Sequence, residues 1–323
     1  RYWWEVSPID ISNNYKKDRK KWVGYSKGGP YQKWIGNNWL LLNWDNDGQE
    51  LKEYNAVLRN SDYYFVEGIT YSASGSKGTS FRYHNDNSIF DTGGSCIFMK
   101  KYSNIYYTLA FLNSKLNTYI TECLNPTVNT QVGDIQRVPF AIPDRFSDDK
   151  ISLLVKQNIS IINNIHRYSI IERDYVNSPI TNQKMPDDII RYHYNRENAD
   201  LSLVILNESV IERIINNVYA LSDTDKQMVL DKEGIPVGDY SVSPQAKEAY
   251  KEWLSTNTEF PASPEVWKHI DSLEINEDQP HINDFESLYQ NNNGWEEFCI
   301  KHKMNPIEVW YQFKNAGILP PQR

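Results

Sequence analysis

Cysteine is scarce: Cys96, Cys123 and Cys299 are the only three in 323 residues. An odd number at wide spacings forms neither a disulfide framework nor a zinc knuckle, and a reduced, cytoplasmic compartment is expected. No stretch approaches the ~18 uncharged apolar residues that a membrane span needs, so no membrane partner is expected. Glycine and proline number 15 each, too few for collagen or low-complexity disorder. The opening Arg1-Tyr2-Trp3-Trp4 lacks the basic, apolar and small-residue order of a signal peptide. It also lacks Met, as a segment of a longer polypeptide would.

Signatures of catalysis are missing in the same way. Gly93-Gly94-Ser95-Cys96 is not a G-x-S-x-G elbow, and two glycines in a turn between strands explain it. Gly75-Ser76-Lys77-Gly78-Thr79-Ser80 is Gly-rich and holds a Lys without the Walker spacing; it reads either as a flexible loop or as a phosphate or base contact. The six His residues show no metal-ligand spacing, so no metal is expected. No Gly-rich turn of the kind that holds S-adenosylmethionine follows a leading strand. Asn125-Pro126-Thr127-Val128 and Asn305-Pro306-Ile307-Glu308 both differ from the Asn-Pro-Pro-Tyr motif with which adenine methylases hold a flipped base. No cofactor and no catalytic residue are therefore expected in these 323 residues.

What the chain does have is aromatic side chains and an uneven charge. Tyr and Trp number 22 and 10, enough for a core and for an interaction surface. The net charge of -8 hides an asymmetry. Residues 1–143 carry 16 Lys and Arg against 13 Asp and Glu, and the remainder carries 18 against 29. Between Lys16 and Lys33 stand seven cations (Lys16, Lys17, Arg19, Lys20, Lys21, Lys27, Lys33) and one acid, Asp18, interleaved with Tyr15, Trp22, Tyr25, Tyr31 and Trp34. Such a run is either a solvated basic loop or a face that meets a polyanion. Ser72, Ser74, Ser76, Lys77, Thr79 and Arg82 add short hydroxyl side chains and two cations around the Gly-rich loop. Cations for phosphates beside small polar groups on turns match the way duplex DNA is gripped and read. Arg82 has a competing structural role, because strand alternation can turn it towards an acid such as Asp91. Lys77 is then the better candidate for DNA.

Aromatic and β-branched runs punctuated by Gly, Asn and Asp predict short strands through residues 1–103: 39–44, 63–66, 69–72, 81–83, 88–90 and 96–99. Leu109, Leu112, Leu116, Tyr119, Ile120 and Cys123 then recur at helical spacing over 104–123. Ser147-Asp148-Asp149 reads as a cap that opens a helix of nearly thirty residues towards Val176, about 45 Å long. Helical spacing from Leu201 to Tyr219 follows, with further helix starts at Ser243-Pro244, Ser263-Pro264 and Asn305-Pro306.

Blocks of residues carry a resemblance. Trp22-Val23-Gly24-Tyr25-Ser26-Lys27-Gly28-Gly29, Lys33-Trp34-Ile35-Gly36-Asn37-Asn38 and Asn43-Trp44-Asp45-Asn46-Asp47-Gly48 resemble the PglX family of adenine-specific DNA methyltransferases of BREX phage defence. The match continues through Glu67-Gly68-Ile69-Thr70-Tyr71-Ser72, Ile89-Phe90-Asp91-Thr92-Gly93-Gly94-Ser95, Phe111-Leu112-Asn113-Ser114-Lys115 and Leu124-Asn125-Pro126 to Ile135. The later blocks are also similar to target recognition domains of restriction–modification specificity subunits, in which a long spacer helix follows. The resemblance implies a catalytic domain, with its S-adenosylmethionine, before Arg1, so this segment alone is expected to be inactive. The Ala73-to-Ser80 loop has a composition of its own, so no target sequence carries over.

The expectation is an α+β protein: a mixed, strand-rich target recognition domain at 1–143, a long spacer helix at 144–178 and an acidic helical C-terminal domain at 179–323. Its expected partners are double-stranded DNA and the methyltransferase domain of the same polypeptide. The expected DNA-binding residues are Lys20, Lys21, Lys27, Lys33, Ser72, Ser74, Ser76, Lys77, Thr79, Arg82, Asn129 and Gln131. The alternative is a module that docks other BREX proteins or a phage DNA-mimic inhibitor.

Overall fold

The computed structural model describes residues 1–73, 78–100, 104–127, 129–176, 186–280 and 294–316. It is α+β, with two small sheets near the start and helices after them. Two compact units are separable: Arg1–Asp148 with Ile162–Asn177, and Asp149–Ile161 with Ser178–Arg323.

The first unit begins with a short helix, α1 (Tyr15–Asp18), which ends on Arg19 in the left-handed conformation. Strand β1 (Trp22–Ser26) is the centre of the first sheet. It pairs antiparallel with β2 (Leu41–Asn43) and parallel with β5 (Ser88–Phe90). Between β2 and the next strand lies α2 (Asp45–Glu53), whose entry through Asn46, Asp47 and Gly48 has positive φ throughout. The second sheet is antiparallel: β3 (Gly68–Tyr71) lies between β4 (Phe81–His84) and β6 (Cys96–Ile97). Tyr15, Val23, Trp44, Phe65 and Ile89 form one core cluster, with the Tyr15 and Phe65 rings stacked at 4.8 Å.

Two expectations about strands and helices in this unit change. Residues 63–66 form no strand; a 3-10 turn over Ser61–Tyr63 leads into the buried Phe65, whose φ is positive. The helix expected over 104–123 is two helices, α3 (Ile105–Leu112) and α4 (Lys115–Leu124). The break lies at Asn113-Ser114. The Ser114 hydroxyl caps α4 by accepting from Asn117 N, and the Asn113 carboxamide is engaged with the backbone of Phe81. Helix α5 (Val132–Arg137) follows.

Helix α6 (Arg145–His166) is 22 residues long; it starts before the expected Ser147 cap and stops ten residues short of Val176. Its cap is Asp144, which accepts from Ser147 N at 3.0 Å, so the helix begins before Ser147. Its end at His166 is set by tertiary bonds: Trp3 Nε1 donates to Ile170 O at 2.9 Å, and Val176 N folds back onto Arg167 O at 2.9 Å. The apolar spacing that continues past His166 misleads because Ile170 and Val176 are exposed.

The longest helix is instead α7 (Pro186–Val218), with 33 residues. From Ser202 to Glu212 nearly every side chain on it is buried, so α7 is the centre of the second unit rather than a surface helix. Around it lie α8 (Asp223–Glu233), α9 (Pro244–Thr256), α10 (Pro264–Ser272), α11 (Trp295–His302) and α12 (Pro306–Ala316). The helices α9, α10 and α12 begin at the three prolines, as the Ser-Pro and Asn-Pro pairs predict. Among the described residues no helix is long and apolar enough to cross a membrane.

One buried acid makes this unit sensitive to pH. Burial raises the Asp200 carboxyl to about 7, against the lowering effects of Arg196 and of the hydrogen bond from Asn257. A carboxyl whose folded pKa exceeds its unfolded value of ~3.9 favours the fold fully below pH ~3.9 and loses that contribution as pH rises towards 7. The expected result is that Asp200→Asn gains stability relative to the parent between pH ~4 and ~7, by about 2–4 kcal/mol. Urea unfolding across that range checks it, and a difference that does not change with pH overturns it.

Candidate nucleic-acid interface

The basic run is divided by the strand it surrounds. Lys16, Lys17, Arg19, Lys20 and Lys21 precede β1, whereas Lys27 and Lys33 follow it. At ~3.3 Å per residue, Lys21 and Lys27 are about 20 Å apart along the chain. Several of the first group have protein partners. Arg19 bonds Asp47 Oδ1 at 2.9 Å and lies 5.0 Å over the Tyr15 ring, and Lys21 Nζ lies 5.7 Å over Trp22. Asp18, the single acid of the run, shapes the turn by accepting from Ser12 Oγ and from the backbone N–H groups of Asn13, Asn14 and Lys20. Burial alone pushes its carboxyl up, and these bonds outweigh that to hold it below the ordinary range.

Lys27 lies at the other end. It is exposed, forms no ion pair or hydrogen bond among the described residues, and starts the turn Gly28-Gly29-Pro30. That turn is held tightly. A Cβ on Gly28 would lie 2.5 Å from Gly93 O, and one on Gly94 would lie 2.6 Å from Ser26 O and 2.7 Å from Gly28 N. Only glycines let the two backbones approach this closely.

Beneath the turn is Arg82, 1% exposed. Its guanidinium reaches Ser72 Oγ at 3.2 Å and Ser80 Oγ at 3.4 Å, and its Nε has no partner among the described residues. Both hydroxyls in turn hold the segment after β1. Ser72 Oγ accepts from Gly29 N at 3.1 Å and donates to Gly29 O at 2.9 Å, and Ser80 Oγ accepts from Gln32 N at 3.0 Å. Burial lowers the guanidinium to about 10, so it remains a cation at neutral pH. The acid considered as its partner, Asp91, is committed elsewhere: it accepts from Tyr25 OH at 2.7 Å and from Gly93 N and Gly94 N. Arg82 is therefore a strut under the loop and not an exposed contact.

A third segment joins these two. Thr130 N donates to Ala73 O at 3.0 Å, and the Thr79 and Thr130 hydroxyls bond each other. Asn125 fixes the approach by donating to Asp134 Oδ2 at 2.6 Å and to Asn129 O at 2.9 Å, which explains the Asn-Pro motif as a structural device. Asn129 and Gln131 are exposed on this segment. The structure thus brings Lys27, Ser72, Thr79, Arg82, Asn129 and Gln131 into one connected cluster and leaves Lys20 and Lys21 at the far end of β1. Lys33 is half-buried beside Trp34, whose backbone bonds Phe81 and Tyr83. Ser74, Ser76 and Lys77 lie outside the described residues.

Gln32 and Asn113 are the members that the sequence did not single out as binding or supporting residues. The signal for Asn113 is its position: a polar pair, Asn113-Ser114, interrupts an apolar helical pattern. Chemically, the cluster offers cations, hydroxyls and amides for non-covalent contact. Ser26 Oγ and His84 Nδ1 lie 3.1 Å apart, but both side chains are buried. Burial holds the imidazole down to about 4. Among the described residues no group of His, Cys, Asp and Glu could hold a metal ion.

Comparison with known proteins gives a class: the chain is similar to adenine-specific methyltransferases. Adenine-specific methyltransferase BrxX of Escherichia coli O9:H4 (strain HS) is 40% identical over 141 residues, which is 43% of this chain and 12% of the relative. Adenine-specific methyltransferase PglX of Lacticaseibacillus casei (strain Zhang) is 33% identical over 154 residues, 44% of this chain and 13% of the relative. The matched segment is thus a small part of each relative. No family model matches the chain.

The Ser72 hydroxyl links Arg82 to Gly29, and its removal tests the strut. In Ser72→Ala the Gly29 N–H loses its acceptor and Arg82 loses a second one. A stability loss of about 1–2 kcal/mol is expected, with faster hydrogen exchange at the Gly29 amide. Unchanged exchange at Gly29 would show that the hydroxyl does not hold the loop.

Proposed function

We propose that this chain is the DNA-recognition part of an adenine-specific DNA methyltransferase that works in BREX-type phage defence. In this reading residues 1–143 grip and read double-stranded DNA, and the helical lobe at 179–323 supports the assembly. Methyl transfer from S-adenosylmethionine belongs to a catalytic domain of the same polypeptide upstream of Arg1, and the protein works in the cytoplasm. The observation that carries the reading is the convergence of residues 27–33, of 72–73 with 78–82, and of 129–131 on one connected cluster of cationic and small polar side chains. Its pattern suits a duplex. Lys27 supplies charge for a phosphate, and exposed Asn129 and Gln131 supply the amides that read base edges. Arg82 acts through the loop it supports. Lys20 and Lys21, about 20 Å away along the chain, would meet other phosphates of the same duplex.

A second reading, a docking module for other BREX proteins or a phage DNA mimic, is favoured by one patch. Tyr2 and Trp4 stack at 4.6 Å and are exposed, as are Ile170 and Ile171 close by. Salt separates the two readings. Duplex affinity governed by phosphate contacts falls linearly on a log–log plot with salt. Lys27→Ala should reduce that slope by about one unit and weaken all duplexes alike, and Lys20→Ala with Lys21→Ala by up to about two. Gln131→Ala should instead change the preferred sequence, with the slope intact. Duplex binding that is absent, or unaltered by all of these substitutions, overturns the first reading.

A further inference from the structure

The helical unit contains a cleft of about 380 Å³ that the reading above does not use. Its volume falls in the ~300–1,000 Å³ range of small-molecule sites. Tyr192, Asn195 and Arg196 of α7, Trp253 of α9, and Trp310 and Lys314 of α12 line it.

The aromatic wall is rigid. Trp310 is buried, and its indole N–H donates to Asn195 O at 3.1 Å. Trp253 is half-buried. It stacks on Tyr250 with centroids 5.4 Å apart, and its own indole N–H makes no hydrogen bond among the described residues. Tyr250 is in turn fixed by a bond from its hydroxyl to Ala199 O at 2.8 Å. The platform is held from behind and open in front.

The two cations differ in state. Arg196 is already neutralised by an ion pair with Glu259. Lys314 is exposed, has no carboxylate partner among the described residues, and lies 5.1 Å over the Trp310 ring. The Asn195 side-chain amide also makes no hydrogen bond among the described residues. Lys314 covers the Trp310 face and so leaves the Trp253 face to a ligand ring. A purely apolar ligand would leave the ammonium and the amide unmatched, and a bare anion would make no use of the indole.

We propose that this cleft binds a nucleoside monophosphate unit, with the base stacked on Trp253, the phosphate on Lys314 and the base edge against Asn195. Stacking of a base on an aromatic side chain, with a nearby cation for the phosphate, is the general way single nucleotide units are held. A free nucleotide and the end of a single strand present this same chemistry. The site lies within one unit and stands independently of the DNA-recognition reading.

The test titrates the intact chain with AMP, GMP, CMP and UMP, and with adenosine and inorganic phosphate separately. A short single-stranded oligonucleotide with a terminal phosphate forms the second arm. Calorimetry gives affinity, and the Trp253 indole N–H resonance, assigned with Trp253→Phe, reports the location. At least one mononucleotide should bind with a Kd of about 10–500 µM and shift that resonance. Lys314→Ala, at an exposed position that leaves the fold intact, should weaken the nucleotide about tenfold and adenosine hardly at all. Trp253→Phe should weaken both severalfold. Tighter binding of the oligonucleotide than of any mononucleotide assigns the site to a strand end, and the reverse assigns it to a free nucleotide. No saturable binding below about 5 mM, an unmoved Trp253 resonance, or equal affinity in Lys314→Ala overturns the proposal.

Discussion

The first unit depends on one side chain that imitates a strand. Asn113 Oδ1 accepts from Phe81 N, and Asn113 Nδ2 donates to Phe81 O, each at 2.9 Å. The carboxamide thus pairs with β4 as a neighbouring peptide would, where a helical connection passes it. Phe81 O accepts a second bond, from Trp34 N at 3.0 Å. Phe81 therefore ties α3 and α4, β4 and the segment after β1 into one body. Its neighbours Ser80 and Arg82 inherit that fixed position, and the loop around Gly29 inherits it from them. A buried backbone N–H and C=O must find partners, and the break between the two helices is the structural consequence of meeting that requirement.

Arg82 shows how charge can be present in a sequence and absent from a surface. Moving a guanidinium into the interior costs several kcal/mol unless its donors are met. Here hydroxyls meet part of that need and, among the described residues, no carboxylate does. The cation stays charged, because burial lowers it only to about 10. Its side chain fixes two serines, and those serines fix the turn that carries Lys27. Two glycine pairs complete the arrangement by letting the backbones of Gly28 and Gly94 come within contact distances that no Cβ allows.

The helical unit follows a different rule. Its central helix α7 is covered over most of its circumference, so its polar residues have to be matched from outside. Ser202 accepts from Trp295 Nε1 at 3.0 Å, Tyr250 bonds Ala199 O, and Trp310 bonds Asn195 O. On α12, Glu308 accepts from Ser243 N at 2.9 Å, and just before the helix Asn305 donates to Gly238 O and Tyr240 O. These bonds specify how the helices are arranged, because sliding any of them by one turn would leave a buried donor unmatched. The cleft beside Trp253 lies at the edge of this network, where the packing stops.

Local chemistry was legible in the sequence wherever one residue type decides it. The Ser-Pro and Asn-Pro starts of α9, α10 and α12 follow from caps and fixed φ, and the Asp45-Asn46-Asp47-Gly48 turn follows from tolerance of positive φ. The α+β class and the acidic helical C-terminal region were readable from strand and helix spacing and from the charge distribution. Tertiary structure alone decided the rest. Apolar spacing past His166 has the look of a continuing helix, yet Trp3, distant in sequence, holds Ile170 O and the chain turns back. The seven cations near Lys20 are close in sequence, but an extended strand separates them into two groups. Arg82 and Lys27 carry the same formal charge, and only the depth at which β4 lies makes one a strut and leaves the other exposed. Periodicity and composition record what a residue prefers; long-range hydrogen bonds and burial select which of those preferences the fold uses.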